Sequence, residues 1–96
     1  MTNPELGLEL KPKLAPKTKL RLDPKTGKYI LLYPEKGLAL NATGAAILKL
    51  CDGERTLAVI VSSLAEEFRS DADVLRAEVL TFVRALLDRG LLQAAP

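Results

Sequence analysis

The chain has 96 residues, with 14 Lys and Arg against 12 Asp and Glu, one cysteine and no histidine. That length suits one domain. The missing histidine removes the usual general base and the commonest metal ligand, and a lone Cys51 cannot close an internal disulfide or build a thiolate metal site, so the composition argues against a self-sufficient enzyme.

An apolar fraction of 48% and a charged fraction of 27% are those of an ordinary soluble globule. Apolar runs such as Leu57 to Val61 are far short of the roughly 20 residues that span a bilayer. No basic head followed by an apolar block opens the sequence, so no signal peptide is expected. The single cysteine fits a reducing cytoplasm. Charge is uneven: residues 1–41 sum to +4 and residues 42–96 to −2. A basic sheet face is either simply solvated or attracts an acidic partner.

Residues 1–10 show no periodicity and are expected to form a flexible tail, with a single domain over 11–92. Pro12 and Pro16 mark Lys11 to Lys17 as an extended entry segment rather than a central strand. Lys19 to Leu22 alternates and predicts the first strand. Asp23-Pro24-Lys25-Thr26-Gly27 predicts a turn. Lys28 to Tyr33 predicts the second strand, whose apolar run suggests cover on parts of both faces. After Pro34-Glu35-Lys36, a third strand is predicted over Gly37 to Leu40. Two short turns in succession make a meander, which leaves the third strand at an edge. Such an edge is either blunt and solvated or a rail for an added peptide strand.

Asn41 predicts an N-cap for the first helix, with Gly53 as its stop. The second helix is expected from about Thr56 to Arg69, with Leu57, Ile60, Val61, Leu64 and Phe68 on one stripe. The third starts near Ser70 or Asp71, where Ser70 with Asp73 resembles a capping box, and runs to about Arg89 before Gly90. Its core stripe is Leu75, Val79, Phe82, Val83 and Leu86. Leu80 and Leu87 widen that stripe on one side, where Arg76 and Arg84 also lie. This flank either covers the sheet or forms one wall of a groove, with arginines placed for a ligand's carboxylates. Leu91 and Leu92 are left open to fold back onto the core. The fold class read from these elements is α+β: a three-stranded antiparallel meander followed by three helices.

No catalytic or metal-binding constellation emerges. Glu66 and Glu67 are adjacent and diverge by about 100° on a helix. Asp71 and Asp73 suit a helix N-terminus. Cys51 reads as a small core residue. Gly27, Gly37, Gly44 and Gly53 have no phosphate-binding spacing. The sheet and three helices also suit a DNA-binding winged helix-turn-helix module, the alternative function. Against it, Ala72 to Gly90 carries three arginines and three acidic residues, whereas a groove reader needs a basic footprint.

Leu40-Asn41, Thr43, Ala45-Ala46-Ile47-Leu48, Leu50-Cys51-Asp52-Gly53 and Arg55-Thr56 resemble the signature of the PqqD family of pyrroloquinoline quinone biosynthesis. Pro12-Lys13-Leu14-Ala15-Pro16, Leu20-Arg21, Leu31-Leu32-Tyr33-Pro34-Glu35 and Asp88-Arg89-Gly90-Leu91-Leu92 extend the match over about residues 11–92. The resemblance implies a peptide chaperone, a RiPP recognition element with a winged helix-turn-helix-like fold that binds peptide instead of nucleic acid. It implies the PqqA precursor peptide as substrate and the radical SAM enzyme PqqE as recipient, with no cofactor and no catalytic residue. In related modules the peptide adds a strand beside the third strand and lies against the third helix. Carried onto this chain, the expected peptide-binding residues are Gly37, Leu38, Ala39, Leu40, Arg76, Leu80, Val83, Arg84 and Leu87.

Overall fold

The computed structural model describes residues 7–34 and 36–95. The elements follow in the order β1 (Lys11–Leu14), β2 (Lys19–Asp23), β3 (Lys28–Tyr33), β4 (Lys36–Ala39), α1 (Ala42–Lys49), α2 (Leu57–Phe68), α3 (Ala72–Asp88) and β5 (Leu92–Ala95). Strands β2, β3 and β4 form the expected antiparallel meander, in that spatial order, and the three helices follow it.

Alternation decides which face of the meander is inside. Leu20, Leu31 and Leu38 are cross-strand partners on one face, and Leu31 is fully buried. Ile30 and Leu32 point the other way, next to Arg21 and Lys19 on one side and to Ala39 and Gly37 on the other. The core beneath the Leu31 row gathers Leu40, Ile47 and Leu48, then Leu57, Ile60 and Leu64, then Leu75, Val79, Val83 and Leu86. Each helix therefore contributes a stripe at 3–4 residue spacing.

The sequence reading missed a second sheet. β1 and β5 pair antiparallel, with Lys11 opposite Ala95 and Leu14 opposite Leu92. The prolines of the entry segment do not prevent this, because β1 is an edge strand and needs few amide donors. Pro12 is wholly buried, and its carbonyl accepts from the Gly53 amide at 2.9 Å. Leu91 and Leu92 do fold back, both buried, at the head of β5. Gly53 accordingly has another task than stopping α1. That helix ends at Lys49 with Leu50 as C-cap. Gly53 sits in the next turn at φ +82°, where a Cβ would meet the Lys13 side chain at 3.1 Å, so only glycine lets β1 pass this closely.

Capping accounts for the helix starts. Asn41 Oδ1 accepts from the Gly44 amide at 2.7 Å. Thr56 caps α2, and Asp71, not Ser70, caps α3 by accepting from the Asp73 and Val74 amides. The expected N-terminal tail falls partly outside the described residues, at 1–6. Within it, the Leu10 and Leu8 carbonyls accept from the Leu57 and Ala58 amides at 2.9 and 3.0 Å, satisfying two donors that the first turn of α2 would otherwise leave free.

Cys51 is buried at 4% exposure, and its thiol donates to the Ile47 carbonyl at 3.2 Å. Burial, with the Asp52 carboxylate adding to it, pushes the thiol up from 9.0 to about 12. Two results are expected. The folded protein resists alkylation at pH 8, and rapid labelling of the native state would contradict this packing. Stability falls as pH rises from 9 towards 12, since over that window the unfolded chain releases the proton and the folded chain keeps it; chemical denaturation at both ends of the window reads the difference.

Candidate functional site

The open side of β4 is the first component. The Leu40 amide donates to the Tyr29 carbonyl at 3.0 Å, so these two residues form a hydrogen-bonded pair. Bonded and non-bonded pairs alternate along an antiparallel ladder. Leu31–Leu38 and Tyr33–Lys36 are therefore bonded pairs too. The N–H and C=O groups of Gly37 and Ala39 then point away from β3, at the edge. Among the described residues no strand occupies that edge, because β5 pairs with β1 instead.

The second component is one flank of α3. At the Lys36 end of β4, the Arg89 guanidinium donates to the Tyr33 hydroxyl at 2.9 Å and lies over its ring, 5.8 Å from the centroid. Two residues past the other end, Asn41 lines an open cleft of about 650 Å³. α1 supplies Thr43, Gly44 and Ile47 to this cleft, and α3 supplies Glu78, Thr81, Phe82 and Ala85. Arg89 is seven residues beyond Phe82, hence on the same side of the helix. Tyr33, opposite Lys36, and Asn41, two residues beyond β4, are thus both neighbours of the flank of α3 that carries Phe82, Ala85 and Arg89. Phe82 is anchored beneath α1 by a missing side chain: a Cβ on Gly44 would stand 3.3 Å from the ring.

The expected site residues divide accordingly. Gly37 and Ala39 supply the free backbone edge, and Leu38 turns its side chain to the partly buried inner face. Leu40 is buried at 6% exposure and its amide is already engaged, so it belongs to the core. Val83 has no exposed surface and cannot touch a ligand; the sequence shows its place on the stripe but not how completely the stripe is covered. Leu80 and Leu87 are half-buried against the core. Two residues along a helix is a turn of about 200°, so Leu80 lies across α3 from Phe82, and Leu87 across from Ala85. Arg76 pairs with Asp73 on its own helix at 3.0 Å, and Arg84 is exposed. The structure does not bring these four residues to the cleft. The helical stripe places Phe82 against the core; its ring also lines the cleft, where Gly44 makes room for it.

On the far side of α1 lies a second hollow of about 500 Å³, where Tyr29, Lys28, Lys49 and Phe68 meet. The Lys49 ammonium rests 4.2 Å above the Tyr29 ring. Among the described residues no group of three or more His, Cys, Asp or Glu is placed to hold a metal ion, and no helix is long and apolar enough to cross a membrane.

Residues 21–92 match the family model described as coenzyme PQQ synthesis protein D, PqqD. The chain belongs to the PqqD family. It is 35% identical over 85 residues to the PqqA binding protein of Rhodopseudomonas palustris strain HaA2, a match covering 88% of this chain and 83% of that protein. Similarity to the PqqA binding protein of Rhizobium meliloti strain 1021 is 37% over 81 residues, covering 84% and 83%. The solution structure of the PqqD part of Methylobacterium extorquens PqqCD, described as a functional, stand-alone RiPP recognition element, superposes with a TM-score of 0.74 at 30% identity, covering 85% of this chain and 87% of that one. PqqD membership and this superposition agree with the meander-plus-helices fold.

Proposed function

We propose that this chain is a peptide-binding recognition element of pyrroloquinoline quinone biosynthesis, not an enzyme. It binds the PqqA precursor peptide by strand addition to β4 and presents it to the radical SAM enzyme PqqE. The observation that carries this reading is the pair of unused backbone units at Gly37 and Ala39, near a helix surface that carries the half-buried ring of Phe82. Main-chain hydrogen bonds give affinity without demanding a sequence, and side chains of alternate peptide residues select through the cleft. Micromolar binding needs about −8 kcal/mol net, within reach of a short added strand and one or two buried anchors. Ordering a flexible peptide costs several kcal/mol, which keeps the complex reversible, as a carrier that surrenders its cargo requires. The excess of positive charge in residues 1–41 favours an acidic peptide.

The deciding experiment is a titration of isotope-labelled protein with synthetic PqqA. Amide shifts gathered on residues 37–39 and on the Phe82 flank support the reading, and shifts scattered or absent contradict it. A paired substitution separates the two sides of α3. Phe82→Asp should weaken binding about tenfold, while Leu80→Asp, with the fold verified by circular dichroism, should change it less than about threefold. The reverse order would place the groove wall on the Arg76–Leu80–Arg84–Leu87 side.

A further inference from the structure

We infer that two opposite charges on α3 set the direction of the bound peptide: it brings a cationic residue to the Asn41 end of β4 and an acidic residue to the Lys36 end. The inference rests on the proposed function and deepens it, since it names the residue pattern that the added strand must carry.

Glu78, Phe82, Ala85 and Arg89 follow one another at spacings of four, three and four residues, so they share about 60° of arc. The other charged residues of this helix and its cap, Asp73, Arg76, Arg84 and Asp88, stand about 120° or more from Phe82 around the axis. The flank that holds Phe82 therefore has one acid and one base, and they lie at opposite ends of it.

Each charge is tied to the meander. Glu78 lines the cleft that Asn41 also lines, and among the described residues it is the only charged one there. The positions three and four away from it on α3 are Val74, Leu75, Thr81 and Phe82, so its own helix offers no cation to pair with. Arg89 is held at the other end. Its guanidinium donates to the Tyr33 hydroxyl at 2.9 Å, and Tyr33 faces Lys36, a second cation, across the ladder.

The lengths agree. Eleven residues of helix separate Glu78 from Arg89, a rise of about 16 Å. Five residues of extended chain, from Lys36 to Asn41, rise about the same distance. A strand added at β4 thus passes the two charges about five residues apart. Side chains on one face of a strand recur at every second residue, so the peptide's two charged positions are four or six residues apart. Antiparallel pairing, the stronger arrangement per residue, puts the N-terminal side of the peptide at the Asn41 end. The cation then precedes the acid. A strand running the other way sets acid against Glu78 and cation against Arg89, and like charges in contact suppress that arrangement. Main-chain hydrogen bonds alone make no such distinction. A peptide that is acidic overall meets the pattern with a single cation.

The test is a set of double-mutant cycles on the full chain, read by calorimetric titration. Each charged residue of synthetic PqqA is neutralised in turn and measured against wild type, Glu78→Gln and Arg89→Gln at about 50 mM salt. One PqqA cation should weaken binding about threefold when neutralised, and should have no further effect on Glu78→Gln. One PqqA acid, four or six residues nearer the C-terminus, should behave likewise with Arg89→Gln. Both couplings should fall below about twofold at about 1 M salt. Asp88→Asn, on another side of α3, should couple to neither. No cation coupled to Glu78, an acid that precedes the cation, or equal coupling to Asp88→Asn would each overturn the inference. If PqqA binds with shifts on residues 37–39 but without these couplings, this inference alone falls. If PqqA does not bind, the proposed function falls and the inference with it.

Discussion

Ala39→Pro should lower the affinity for PqqA at least tenfold while moving the melting temperature only slightly. Ala39 faces its backbone outward, so proline there removes an edge donor and sacrifices no bond to β3. Its φ is compatible with an edge strand, and Leu38 before it is already extended, as a residue preceding proline must be. The added strand loses one hydrogen bond and also meets the pyrrolidine ring where its own carbonyl should approach. Tenfold corresponds to about 1.4 kcal/mol, within what one main-chain hydrogen bond contributes. Leu38→Pro is the contrast. Leu38 donates inward to Leu31 in the bonded pair deduced above, so proline at that position should detach β4 and destabilise the fold. If Ala39→Pro binds peptide as wild type does, strand addition is wrong, whatever else the protein binds.

Leu31→Ala should produce the largest loss of stability. Leu31 is fully buried in the central strand of the meander, between Leu20 and Leu38. Truncation removes the transfer energy of the side chain and leaves a cavity that the flanking strands cannot close, for about 2–5 kcal/mol. Domains of this size have about 5–15 kcal/mol in all, and each kcal/mol shifts the melting temperature by about 4–8 °C. A fall of at least about 8 °C is therefore expected by calorimetry. A fall below about 4 °C would show that the sheet and the helices do not share one core. Tyr33→Phe should be far milder, since it removes one exposed hydrogen bond to Arg89 and keeps the ring.

What could be read from the residues follows the range of the forces involved. The meander is written locally: alternation in Lys19–Leu22, a turn at Pro24 and Gly27, and a run of strand formers to Tyr33. The helix starts are equally local, since Asn41, Thr56 and Asp71 act on amides two or three residues away. The β1–β5 sheet is not local. Each strand has four residues, too few for a pattern, and each finds its partner only after the helices have brought the chain back. For α3, the hydrophobic stripe was legible as a stripe, but periodicity cannot tell which margin faces the sheet. That choice is made at a distance, where Tyr33 receives Arg89 and where Gly44 admits Phe82. The backbone edge was readable because it depends on strand order alone.

The clasp between Lys11 and Ala95 bears on how this unit can be joined to others. Facing residues of an antiparallel pair have Cα atoms about 5 Å apart, so the start of β1 and the end of β5 lie side by side. Connections made at Lys11 and Ala95 leave from almost one spot, so the body between them can be spliced into a loop of a larger host with hardly any stretch of the host's backbone. Neither junction touches β4, so a tethered copy keeps its β4 edge open and gains a high local concentration of whatever it is fused to.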